Sequence, residues 1–315
     1  METATGAARN RSLTMTNSSN NHGLRLPDFI GVGPGRTGTT WLHEVLKGRV
    51  NLPAGIKETD FFTTNYSKGI EWYAHHFRNA DRVRPIGEVN PYFGFPVAAE
   101  RIAQHIPRCK IICSFRSPVE RIYSAYKLWR HYTLTFDPID VFLEKVPQII
   151  EVSRYATHLP DYRARFGDDH VLVLLNDDLR ADSQAYLDRV CDFIGIERYP
   201  VPPAAGEGEL INSISDLPRF PRVARRARHF MYWLEEKQAY GTSNFLERAG
   251  AWKLVFGGGD RFGPLDPAIE ARLHELMRPE IDALEKMIGR DLSAWKSPRA
   301  KRSPAIPREA ASQGS

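Results

Sequence analysis

The octet Gly33-Pro34-Gly35-Arg36-Thr37-Gly38-Thr39-Thr40 constrains this chain more than any other stretch. It follows a short apolar run, DFIGVG, and precedes the helical pattern WLHEVL. Strand, glycine-rich turn and helix in that order open a βαβ unit. Gly33 and Gly38 carry the G-x-x-x-x-G spacing of a Walker A loop, where backbone amides and a helix N-terminus form an anion nest. The nucleoside triphosphate version needs Lys and then Ser/Thr after the second glycine, for the β/γ-phosphates and for magnesium. Here Thr39 stands at the lysine position, so an ATPase or GTPase reading loses its key charge. A cation is present instead inside the loop, at Arg36. A guanidinium there can bridge a 5′-phosphate and the group transferred from it.

The strand–helix pattern recurs along the chain. RPIGEVN reads as a second strand, CKIICSF as a clearer one and HVLVLL as another of the buried type. CKIICSF runs into RSPVERIYSAYKLWRHY, a helix with Pro118 in its first turn. DLRADSQAYLDRVCDFIGI reads as one helix ending at Gly195, and PLDPAIEARLHELMRPEIDALEKMIGRDLSAW as a long amphipathic helix closing the chain. Strands alternating with helices predict an α/β fold of three layers with a mainly parallel central sheet and a P-loop-like phosphate-binding loop. The expected organisation is a disordered lead over 1–26, a single domain over 27–296 and a disordered basic tail over 297–315. Within the domain, a segment from about 200 to 263 reads as a cap of loops and short helices.

Composition narrows the class. The 315 residues are 42% hydrophobic and 26% charged, ordinary for a soluble globular protein. No apolar run approaches the roughly 18 residues of a membrane-spanning helix, so no integral membrane segment is expected. The polar lead lacks the apolar core of a secretory signal. Cys109, Cys113 and Cys191 show no C-x-x-C spacing, which argues against a disulfide framework or a cysteine zinc site and makes a reducing, cytoplasmic setting the default. His75 and His76 are adjacent and cannot share a helical face, so no metal is expected. The net charge of +5 concentrates at Arg219, Arg222, Arg225, Arg226 and Arg228 and in the tail. Those arginines read as a solvated helix face or as contacts to donor or acceptor. No aromatic ladder accompanies them, so no nucleic-acid partner is expected.

Ligands of open α/β sheets collect at the carboxyl ends of the strands. Arg116 lies just past CKIICSF, and Ser124 follows in the next helix. An arginine fork and a hydroxyl can hold a second phosphate, apart from the one in the glycine loop. Arg121 and Tyr126, on the same helix, read as surface pairing and core packing.

These residues carry a resemblance. GVGPGRTGTTWL resembles the 5′-phosphosulfate-binding loop of sulfotransferases that use 3′-phosphoadenosine 5′-phosphosulfate (PAPS). RSPVERIYSAY resembles their 3′-phosphate motif, R-x-P-x-x-R-x-x-S-x-Y. The two together are far more specific than either alone, and the resemblance covers most of Pro27 to Trp295. KETDFF followed by YSKGIEWYAHHF is similar to the carbohydrate branch, typified by heparan sulfate sulfotransferases. The resemblance implies sulfuryl transfer from PAPS, without a metal, to a hydroxyl of a glycan or other small-molecule acceptor. It assigns the 5′ end of the donor to Gly35, Arg36, Thr37, Gly38, Thr39 and Thr40, and the 3′-phosphate to Arg116 and Ser124. It makes Glu58 the base that activates the acceptor and Arg36 the cation at the leaving group. Two positions depart from the family pattern: Arg36 stands where lysine is common, and Val89 where the branch often has lysine after the glutamate of GEVNPYF.

On the residues alone, alternatives stay open. Glu58 also reads as a surface carboxylate paired with Lys57, and Lys57 as a solvated charge or a donor contact. Glu88 reads as a second acid/base or as a buried pairing group, and Asp60 as a group orienting Glu58 or the acceptor. A kinase-like P-loop phosphotransferase is the rival enzyme, and a basic nucleic-acid-binding protein the rival of another class.

Overall fold

The computed structural model describes residues 23–133, 137–205, 216–218 and 258–298, with isolated positions between 223 and 230. Strands β1 (Phe29–Gly31), β2 (Gly87–Val89), β3 (Lys110–Phe115) and β4 (Val171–Leu175) form one parallel sheet in the order β2-β1-β3-β4. The register sets Phe29 opposite both Gly87 and Lys110, and Ile111 opposite Val171. Helices α1 (Thr39–Leu46), α2 (Ile70–His75), α3 (Pro96–His105) and α4 (Pro118–Thr133) follow the first three strands. After them come α5 (Ile139–Lys145), α6 (Gln148–Glu151), α7 (Tyr155–Phe166), α8 (Asn176–Ala181), α9 (Ser183–Ile194) and α10 (Pro267–Ile288).

The two-residue period of the strands divides the apolar side chains between two cores. Ile30, Ile111, Cys113 and Phe115 point into one, with Ile122 of α4, Tyr155 and Leu159 of α7, and Met277 and Ile281 of α10. Phe29, Ile112 and Leu174 point into the other, with Trp41, Leu42 and Val45 of α1 and Leu187 and Val190 of α9. Helices therefore cover both faces, as the apolar strands require. The architecture is the three-layer α/β fold expected from the sequence.

Three expectations need correction. DLRADSQAYLDRVCDFIGI is two helices, not one, because Asp182 leaves helical geometry and its carboxylate accepts the Ala185 amide as the N-cap of α9. Gly195 does end α9, in the left-handed conformation. The segment read as loops and short helices also contains an antiparallel strand pair, β5 (Asp216–Pro218) and β6 (Gly258–Arg261). β5 packs against α4, and the Tyr123 hydroxyl of α4 donates to the Gly263 carbonyl. The closing segment forms its long amphipathic helix over Pro267–Ile288 alone: Asp266 caps its start, Gly289 ends it ahead of RDLSAW, and Leu273, Met277, Ile281 and Leu284 are buried. The lead over 1–22, the tail over 299–315 and Arg219, Arg222, Arg225 and Arg228 lie outside the described residues.

Candidate active site

From β1 the chain crosses to β2 on one side, and it later returns to β3 on the other. That reversal opens a crevice at the carboxyl ends of β1 and β3, the usual ligand position in such sheets. The loops leaving these two strands are the glycine octet and the start of α4.

The octet lies against β3. A Cβ on Gly33 would come within 2.1 Å of the Ser114 Oγ and 2.9 Å of its backbone nitrogen, so glycine is required there for contact alone. Gly38, just before α1, has φ +104°, a conformation open to glycine but costly for other residues. The Thr37 hydroxyl is buried, bonded to the Pro34 carbonyl at 2.7 Å and to the Ser114 Oγ at 2.8 Å. It fixes the loop, so the hydroxyl is not available to a ligand. The first amides of α1 have no carbonyl one turn earlier to accept them, which completes the nest.

Arg36 sits at φ 79°. Its Nε donates to the Ser124 Oγ across 3.0 Å, joining the octet to α4. Arg116 sits at the start of that helix and pairs with Glu120 one turn on, at 2.9 and 3.1 Å; Arg180 of α8 lies 3.6 Å from the same carboxylate. Arg121 is buried and holds the Gly35 carbonyl at 3.2 Å, the Ile149 carbonyl at 2.6 Å and the Ser153 Oγ at 2.9 Å. The motif arginine assigned above to pairing and packing thus braces the phosphate loop from beneath. Burial lowers the basicity of Lys127, and the positive charges of Arg116 and Arg36 lower it further. Lys127 escaped the sequence reading, although it lies one helical turn past Ser124 on the same face.

Arg36, Arg116 and Lys127 thus lie within one another's field at this end of the sheet. A dianionic or larger ligand relieves their mutual repulsion. The Ser117 Oγ beside Arg116 and the Asn176 Oδ1 are buried without hydrogen-bond partners, so the crevice also holds unused polar atoms. These features fit a nucleotide carrying phosphate groups at two separate positions.

KETDFF adjoins the octet where α1 begins. Lys57 reaches the Thr40 Oγ1 at 3.1 Å and the Glu58 Oε1 at 2.9 Å, which hangs Glu58 over the first turn of α1. Glu58 is about a third exposed, open to an incoming group. The pairing with Lys57 weighed as a surface feature is real, but it sits at the loop rather than on bare surface. Beneath it, Glu88 is fully buried and accepts from the Thr59 amide and hydroxyl, the Tyr73 hydroxyl and the Asn90 amide at 2.6 to 3.1 Å. Glu88 is therefore the pairing group, and it anchors Thr59 between Glu58 and Asp60. His75 and His76 are taken up locally, by Arg78 and by the Trp72 ring. Among the described residues no cluster of His, Cys, Asp or Glu that could hold a metal ion occurs.

Asp60 adopts φ 50° and is pushed up from the ordinary aspartate range by burial first and by the Glu58 charge second, with the Asn90 amide opposing. Its folded-state pKa is raised, so its stabilising contribution is complete below the unfolded value and lost as pH rises through the folded one. Asp60→Asn, which tolerates positive φ, should therefore be more stable than the parent at neutral pH and lose that advantage near pH 3.5. Thermal melts of both proteins at the two pH values check this. An advantage that is equal at both pH values would contradict it.

The chain has relatives among known proteins. A relative in Caenorhabditis briggsae, the bifunctional heparan sulfate N-deacetylase/N-sulfotransferase 1, is 27% identical over 201 residues, covering 56% of this chain and 23% of its own. The membrane-associated sulfotransferase kil1 of Dictyostelium discoideum is 37% identical over 108 residues, 33% of this chain and 23% of its own. The chain thus matches about a quarter of the length of these relatives. A sulfotransferase crystal structure from Alicyclobacillus acidocaldarius shares the fold, with TM-score 0.63 and 21% identity, over 87% of this chain and all of that one. The model of the sulfotransferase domain matches residues 26–216, from just before β1 to the first residue of β5, and so across the whole crevice. Over more than half its length, then, this chain is a member of the sulfotransferase domain family.

Proposed function

We propose that this protein transfers a sulfuryl group from PAPS to a hydroxyl of an acceptor, foremost a carbohydrate. The observation that carries the proposal is the Arg36–Ser124 bond, which joins the octet to the second anion motif. Bound there, PAPS supplies the sulfuryl group and a 5′-phosphate as leaving group. The amides from Gly35 to Thr40 and the Arg36 guanidinium hold the 5′ end, and Arg116 and Ser124 hold the 3′-phosphate. Glu58 takes the acceptor proton as the acceptor oxygen bonds to sulfur. The bond from sulfur to the bridging oxygen breaks, its electron pair leaving on the 5′-phosphate beside Arg36. In-line transfer of this kind depends chiefly on positioning and on charge placed at the leaving oxygen.

Support for a carbohydrate acceptor comes from the heparan sulfate relatives and from the KETDFF segment beside the loop. Their names specify N-sulfotransferase, so an amine on a sugar is the second reading. Residues 27–296 would form the catalytic domain, with about 200–263 as its cap. Three buried thiols without disulfides support a reducing, cytoplasmic setting.

The decisive experiment is a thermal shift with adenosine 3′,5′-bisphosphate against ATP plus magnesium. At 100 times its dissociation constant the bisphosphate should stabilise by about 2.7 kcal/mol. Arg116→Ala should abolish most of that shift. A shift with ATP and magnesium alone would replace the sulfotransferase with the kinase-like reading.

A further inference from the structure

Lys57 occupies an unusual position. Its Nζ lies within 3.1 Å of a hydroxyl in the first turn of α1 and 2.9 Å from the Glu58 carboxylate. One side of it faces the phosphate nest and the other the group that would take the acceptor's proton. The transferred group must lie between those two. The bond from Lys57 to Thr40 is to a neutral oxygen, which an anionic oxygen arriving at the nest can displace. The ammonium is also only about a third exposed, at the level of the loop rather than out in solvent. Its charge reaches into the first layer beneath, where it is the leading charge that lowers the basicity of buried His43 in α1, after burial itself.

A second observation concerns what else could serve. Val89, at the end of β2 where the resemblance looks for a lysine, is fully buried in the core beneath α1 and has no charge to offer. Arg36 is directed toward Ser124, on the α4 side of the crevice. The cation nearest the acceptor side of the loop is supplied by Lys57.

We infer that Lys57 is a catalytic residue that binds the non-bridging oxygens of the sulfuryl group itself, leaving Arg36 to the bridging oxygen and the 5′-phosphate. The assignment rests on the donor reading above. It makes the Lys57–Glu58 pair a resting state: the donor draws the ammonium onto the sulfonate and frees the Glu58 carboxylate for the acceptor. Donor would then precede acceptor.

The test compares two probes that differ only in the sulfuryl group, PAPS and adenosine 3′,5′-bisphosphate, by calorimetric titration without any acceptor. In Lys57→Met the affinity for PAPS should fall about tenfold, in line with the loss of one charge-assisted contact. Affinity for the bisphosphate should stay within twofold, and Lys57→Arg should recover most of the PAPS affinity. Unchanged PAPS affinity in Lys57→Met would overturn the assignment. So would equal losses for both probes, since Lys57 would then merely brace the loop through Thr40. Failure of the parent protein to bind the bisphosphate is a separate result, and it would remove the donor reading together with this one.

Discussion

Glu58→Gln should lower sulfuryl transfer by about 10²–10⁴-fold while leaving the affinity for adenosine 3′,5′-bisphosphate nearly unchanged. The range is that of a positioned general base. Glutamine keeps the length and shape of the side chain and can still accept from Lys57 through its oxygen, so the hydrogen bond at 2.9 Å need not be lost. What it cannot do is take a proton. Two other carboxylates lie close by, and the structure separates them from this role. Glu88 is wholly buried with its oxygens committed to Thr59, Tyr73 and Asn90. Asp60 is half-buried and its carboxylate is engaged by the Asn90 amide. Transfer of labelled sulfate to N-desulfated heparan fragments and to unmodified glycans, parent against variant, gives the measurement and also decides between nitrogen and hydroxyl acceptors. A loss of less than threefold in Glu58→Gln would move the base elsewhere.

How far the sequence carried the site depends on the distance over which each feature is determined. The octet was legible because its function is local: glycines, a strand before and a helix after suffice to make an anion nest. The partnership of Arg36 with Ser124 was legible in kind, from two motifs at the ends of two strands, although only the strand order β2-β1-β3-β4 brings them to hydrogen-bond distance. The pairing of Arg116 with Glu120 was available from the four-residue helical spacing and was passed over. So was the break at Asp182, since Asp followed by Ser-Gln-Ala is an ordinary N-cap signal. Lys127 needed the three-dimensional neighbourhood, because nothing in YKLWR marks one lysine as lying in the field of two arginines. Glu88 and Thr59 needed it as well: the hydroxyl that ties them crosses from a loop to a strand 29 residues away in sequence. A charged residue inside a strand is ambiguous until the depth of burial is known.

Arg121 is where packing and function meet most closely, and Arg121→Met should cost about 3–5 kcal/mol of stability, the penalty for leaving buried neutral acceptors short of a donor. The guanidinium links two otherwise separate segments: the octet through Gly35, and the α6 turn through the Ile149 carbonyl and the Ser153 hydroxyl. Methionine fills much of the volume but leaves the Gly35 carbonyl without this donor and the Ile149 carbonyl with the Ser153 hydroxyl alone, a penalty of roughly 1–3 kcal/mol for each buried group left unsatisfied. At about 2–4 °C per kcal/mol for a domain of this size, the melting temperature should fall by roughly 10 °C. Lysine should rescue little, because a single ammonium cannot span the fork that reaches Gly35 on one side and Ile149 on the other. A structural loss alone would leave ligand affinity intact in the folded fraction. Here the Gly35 carbonyl belongs to the phosphate loop, so bisphosphate binding, measured well below the melting temperature, should weaken as well. Stability lost with affinity retained would make Arg121 a brace for α6 alone. Both lost together would mean that the buried charge sets the shape of the loop that grips the donor.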